Sequence, residues 1–161
     1  MSSSGKRPFA LYVLVFLLFF QGVSALYGGI SLIADPTGGL LKMEQGLLAG
    51  SIFTSYLIPG LILSLLLGIV PMILIYPLLA RPHWKWARIL NIYKNRYWAW
   101  TYSLYLGLGI IIWIDVQIYM IGYSQFIQTF IAFLGVLIVI FTLWPSVMKY
   151  FRRSRQEGSD R

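Results

Sequence analysis

The chain has 161 residues, 58% of them apolar and 11% charged, with thirteen Lys and Arg against five Asp and Glu for a net charge of +8. Soluble domains average about 45–50% apolar and about 25% charged residues, so a chain this small and apolar cannot cover its own surface and needs lipid as solvent. Cysteine is absent, which excludes disulfides, thiolate metal sites and thiol nucleophiles.

A bilayer core about 30 Å thick takes about 20 apolar residues per spanning helix. Four runs are long enough: residues 9–33, 52–80, 98–122 and 125–148. The predicted fold is therefore all-α, a polytopic membrane protein with four transmembrane helices in one domain. Short tails at 1–8 and 152–161 are expected to be flexible and cytoplasmic. The first run follows Lys6 and Arg7 and passes through Val23-Ser24-Ala25, which resembles a signal-peptide cleavage site. Its apolar character continues for eight residues beyond Ala25, and this favours an uncleaved first helix. Asp35-Pro36-Thr37-Gly38-Gly39 breaks that helix, since Pro and Gly favour turns and Asp bonds the local backbone. Leu40, Leu41, Met43, Leu47 and Leu48 then suggest a short helix lying on the outer membrane surface.

In the second run Pro59, Pro71 and Pro77 each remove an intrahelical hydrogen bond, so kinks are expected. Gly60, Ser64 and Gly68 recur every four residues and form one small face. The first helix offers Ser24 with Gly28, and Ala25 with Gly29, at the same spacing, which predicts close packing of helices one and two. Between the second and third runs, Trp86, Ile89, Leu90, Tyr93 and Tyr97 fall at helical spacing. They predict a short amphipathic helix in the cytoplasmic interface. Lys85, Arg88, Lys94 and Arg96 beside them are candidates for anionic lipid headgroups, each worth about 1 kcal/mol near a charged surface. The third and fourth runs are joined only by Gly122, Tyr123 and Ser124, so a tight antiparallel hairpin is expected.

The cations are distributed unevenly. With four crossings, twelve of the thirteen fall on one side and Lys42 alone on the other. That is the positive-inside pattern, with both termini cytoplasmic in the cell membrane. It accounts for the net charge without nucleic acid, for which there is no binding motif.

Only one charged residue, Asp115, lies within the runs. It sits roughly 25 Å along the third helix from Trp98 at 1.5 Å per residue, and Gln117, Gln128 and Ser24 fall at similar heights. These four are the candidate ligand-binding residues. Asp115 could be a structural hydrogen-bond acceptor, could line a pocket for a cation, headgroup or proton, or could reach the outer interface. The single histidine, His83, falls in the cytoplasmic loop, so intramembrane histidine ligation of haem or zinc is excluded. Asp35 and Glu44, nine residues apart in the first loop, give no sign of an acid/base pair. No catalytic residue, metal site or cofactor is expected.

Gly28-Gly29, Asp35-Pro36-Thr37-Gly38, Pro59-Gly60 and Trp113-Ile114-Asp115-Val116-Gln117 together resemble small four-helix prokaryotic integral membrane proteins of unassigned function. The resemblance covers the first three helices and implies a four-helix membrane fold and no activity. The leading functional expectation is a non-enzymatic membrane protein: a partner subunit, an assembly factor or a lipid-interacting element. Its partners would be membrane lipids, further copies of itself or another membrane protein. One alternative is a small oligomeric transporter or channel using Asp115; another is a lipid-modifying membrane enzyme.

Overall fold

The computed structural model describes residues 6–43, 45–123 and 126–152. Most of the expected flexible tails, Glu44 and Ser124 of the expected loops, and Gln125 at the start of the fourth run lie outside these ranges. The described chain is all-helical apart from turns and one isolated bridge between Arg96 and Arg152. Its helices are α1 (Phe9–Ala34), α2 (Leu57–Ala80), α3 (Trp98–Ile121), α4 (Phe126–Thr142) and α5 (Pro145–Tyr150). By length and composition α1, α2 and α3 are able to cross a membrane, while α4 is apolar but shorter, at 17 residues.

Several boundaries depart from the apolar runs. The second run begins at 52, but α2 starts at Leu57. The Ser51 hydroxyl exchanges hydrogen bonds with the N–H and carbonyl of Phe53 and holds a non-helical turn there. The fourth run continues to 148, but α4 ends at Thr142. Proline disfavours the helical region for the residue before it, and Trp144 is extended (ψ 132°) ahead of Pro145. Within α2 the segment Leu63–Ile69 is π-helical, and the Val70 N–H bonds the Leu65 carbonyl, one residue further back than in an α-helix. Pro71 follows with no N–H to offer, so the widened turn sits where the α-ladder would lose a donor.

α1 packs along α2, and small residues set how closely. A Cβ on Gly29 would lie 2.2 Å from Ser64 Oγ and 2.8 Å from the Gly60 carbonyl oxygen; one on Gly22 would lie 3.1 Å from the Gly68 oxygen. Ala25 is buried between them. The hairpin of α3 and α4 uses the same device. Cβ atoms on Gly107 and Gly135 would each come within 3.2 Å of the other residue's carbonyl oxygen. Phe20 meets Phe130 edge-to-face at 5.9 Å and ties α1 to α4. The outward faces are apolar, with Phe16, Ile30, Leu65, Ile73, Ile112 and Phe133 all exposed.

The expected amphipathic helix between α2 and α3 does not form; only a 3₁₀ turn at Trp86–Arg88 is present. Tertiary hydrogen bonds override the helical periodicity. Buried Asn91 accepts from the Thr101 hydroxyl at 2.6 Å and donates to the Arg96 carbonyl at 3.1 Å. The Tyr97 hydroxyl donates to the Pro82 carbonyl, and Trp84 stacks against both Tyr76 and Trp98. These contacts draw residues 81–97 over the start of α3 as an irregular strap. Of the predicted stripe only Tyr97 is buried; Trp86, Ile89, Leu90 and Tyr93 remain exposed. The surface helix expected near residues 40–50 is likewise two 3₁₀ turns, Gly39–Leu41 and Gln45–Gly50, with Lys42 left-handed after the first (φ 54°).

Arginines satisfy helix C-terminal carbonyls at this basic end. Arg7 donates to Leu79, Arg81 to Tyr150 and Arg96 to Met148. The Arg81 guanidinium also lies 3.6 Å from the centre of the Tyr150 ring. Cations are favourable at helix C-termini because the unpaired carbonyls carry partial negative charge.

Candidate functional site

At the opposite end, called here the hairpin end, the helices separate around a cavity of about 750 Å³. α1 contributes Val23, Ser24 and Gly28 to its wall, α2 Pro59 and Leu63, α3 Trp113 and Gln117, and α4 Gln128 and Ile131. Gly28 matters by having no side chain: a Cβ there would make only ordinary contact with Leu63, at 3.4 Å, and would otherwise project into the space.

The segment between α1 and α2 closes the cavity from above, contributing Leu41, Met43, Leu48, Ile52 and Phe53. A turn at its root holds it in place. Asp35 Oδ1 accepts from the Thr37 N–H at 3.1 Å and the Thr37 hydroxyl at 2.6 Å, and Oδ2 accepts from the Leu40 N–H at 3.0 Å. The bond from the Thr37 hydroxyl, then that from Leu40, holds the Asp35 carboxyl below the usual carboxylate range. The far end of the segment returns to the same place, with the Tyr56 N–H donating to the Pro36 carbonyl. Gly38 is left-handed (φ 83°), and a Cβ on it would lie 2.9 Å from the Tyr56 ring, so the turn requires glycine twice over.

The cavity gathers three of the four candidate ligand residues: Ser24, Gln117 and Gln128. Gln128 is buried and donates through Nε2 to the Gly122 carbonyl at 3.3 Å. Asp115 is not part of the lining, although its neighbour Val116 is. It is exposed, without a hydrogen-bond partner among the described residues, on a face it shares with Ile112 and Tyr119. A turn of about 100° per residue sets it roughly 200° from Gln117. Of the small residues, Ala25, Gly29, Gly60, Ser64 and Gly68 lie where α1 meets α2, and Ser24 and Gly28 border the cavity. Of the headgroup candidates, Lys85, Arg88 and Lys94 are exposed on the strap, whereas Arg96 is half-buried against the Met148 carbonyl and the Trp100 ring.

Some polar features were absent from the sequence reading. Gln21 is buried in α1, and its Oε1 has no hydrogen-bond partner among the described residues. An amide inside an apolar run was the available signal. The Asn91–Thr101 pair and the bond from Trp100 Nε1 to the Thr142 carbonyl at 2.7 Å join residues distant in sequence or in different elements, with no local signature.

Among the described residues no charged side chain lines the cavity, and the polar groups there are neutral amides, hydroxyls and the Trp113 indole. Among the described residues no three His, Cys, Asp or Glu side chains are grouped to hold a metal ion. The arrangement suits an apolar molecule carrying a few neutral hydrogen-bonding groups, and the volume is within the roughly 300–1,000 Å³ of small-molecule sites. No family model, curated protein or solved structure matches this chain.

Proposed function

We propose that the protein is a four-span integral membrane protein with both termini in the cytoplasm, and that it acts by accommodating lipid rather than by catalysis. Three helices of crossing length, a shorter apolar fourth and an apolar exterior support the spans. The grouping of twelve cations at or beyond the basic end supports the orientation. Exposed Lys85, Arg88 and Lys94, among exposed aromatic and aliphatic side chains, suit anionic headgroups on that side.

The observation that carries the functional reading is the mostly apolar lining of the cavity, uncharged among the described residues. Ion transport through Asp115 needs that carboxylate in a path, and it lies on the outside of α3. Lipid modification needs a nucleophile with a base, or paired carboxylates, and the described lining residues offer neither.

Because the chain is free of cysteine, single cysteines report topology directly. Gly46 has nothing within 4 Å of an added Cβ, and Asn95 is exposed on the strap. In intact cells a membrane-impermeant maleimide is expected to label Gly46→Cys, and to label Asn95→Cys only after permeabilisation. The reverse pattern overturns the orientation. Purified protein is expected to retain lipid in native mass spectra and to lose thermal stability on delipidation. Equal stability with and without lipid counts against the functional reading.

A further inference from the structure

We infer that the cavity is a lateral site for one acyl chain of a membrane phospholipid, with the neutral polar groups at its upper end meeting the ester–glycerol region. The inference rests on the membrane reading above and adds the occupant, the route of entry and the depth.

The route follows from which walls are closed. The segment between α1 and α2 covers the cavity on the side away from the bundle, and its two ends are tied together by Asp35, Thr37, Leu40 and the bond from Tyr56 to Pro36. Further into the bundle, the Phe20–Phe130 contact joins α1 to α4. Between those two closures the lining includes Val23 and Tyr27 of α1 and Ile127 of α4, each of which is also exposed on the apolar exterior. The cavity is thus continuous with the surface that faces lipid. A water-borne ligand would have to pass the lid, whereas a chain from the surrounding leaflet need only bend inward.

The occupant follows from depth and chemistry. At 1.5 Å per residue, Gln117 lies roughly 28 Å along α3 from Trp98, near the far edge of a hydrocarbon core about 30 Å thick. Ester carbonyls of the outer leaflet sit at that edge. They are acceptors, and the Gln117 amide and the Ser24 hydroxyl in the lining can donate to them. Below this level the walls are Leu63, Trp113, Ile114 and Ile131, which suit methylenes. The described lining has no cation to hold a phosphate or a free carboxylate, so the charged headgroup stays in the interface.

The test is photolabelling of the full chain in phosphatidylcholine vesicles doped with a phosphatidylcholine carrying a diazirine near the end of its sn-2 chain. Adducts are expected on Leu63, Ile114 and Ile131, as well as on exterior residues such as Leu65 and Phe133. Gly28→Leu, which fills the space beside Leu63, is expected to abolish the adducts in the lining and leave the exterior ones. Ile131→Phe serves as a second filling variant, and circular dichroism checks that both fold. Exterior adducts without lining adducts overturn the site while leaving the membrane reading intact. Loss of both sets overturns the membrane reading and the site with it. Lining adducts that survive both filling variants, or that appear with a diazirine fatty acid but not with the phospholipid, also overturn the proposal.

Discussion

At the scale of single residues, two carboxylates have opposite environments. Asp35 accepts three hydrogen bonds and its carboxyl is held below the ordinary range, so its contribution to the lid is present above the ordinary pKa and is lost as pH falls through the lowered one. Loosening of the lid is therefore expected below about pH 4. The measurement is hydrogen exchange at the Leu40 amide, whose protection relative to the intrinsic rate at the same pH should fall at acid pH, and should fall in Asp35→Ala already at neutral pH. Asp35→Asn keeps one acceptor oxygen and should fall between the two. Asp115 has no hydrogen-bond partner among the described residues, so Asp115→Asn is expected to leave the thermal midpoint in micelles unchanged. A marked shift would mean that the carboxylate bonds to something in the folded protein. Sequence placed Asp115 and Gln117 at similar heights on one helix, but assigning one to the exterior and the other to the cavity required knowing which face of α3 meets α4.

At the scale of helices, two adjacent glycines make a sharper test than either alone. Gly29→Ala puts a methyl group 2.2 Å from Ser64 Oγ and 2.8 Å from backbone atoms of α2. Overpacking of this kind costs about 1–3 kcal/mol. Gly28→Ala meets only Leu63 at an ordinary distance and should be tolerated, as thermal unfolding of the two variants in the same detergent will show. The spacing of Gly60, Ser64 and Gly68 is legible in the sequence because small faces on lipid-soluble helices have few other uses. The pair Gly107 and Gly135 is as closely packed; Ala99, Ser103 and Gly107 repeat at the same spacing on α3, whereas Gly135 has no small residue four positions away on α4. The strap was illegible for a different reason. Its helical spacing is real, but Asn91 sits in that spacing as an ordinary polar residue until Thr101 is beside it. Asn91→Ala leaves the buried Thr101 hydroxyl without that acceptor, at a cost of about 1–3 kcal/mol. It should free the strap to proteolysis before the helices unfold. Stability lost without any gain in strap cleavage would mean that Asn91 does not anchor it.

For the molecule as a whole, the two ends are built on different chemistry. The basic end is dense in aromatic contacts and arginine-capped carbonyls, which fix how α2, α3 and α5 terminate relative to one another. The hairpin end is open, its described cavity lining is uncharged, and the turn at Asp35 ties its lid. Composition predicts the basic end, since cations and aromatics are visible in the sequence, but a cavity is a property of helix separation and leaves no mark on any single helix. The helices also differ in length. At 1.5 Å per residue, the 17 residues of α4 span roughly 25 Å and the 26 of α1 roughly 39 Å, against a hydrocarbon core of about 30 Å. The short α4 packs directly against the long α1, so the mismatch falls between neighbouring helices. Tilting the long helices and thinning the leaflets beside α4 would reconcile them at a modest cost per ångström. The protein would then be a small deformation in the membrane as well as an object within it, and it would partition toward thinner bilayers.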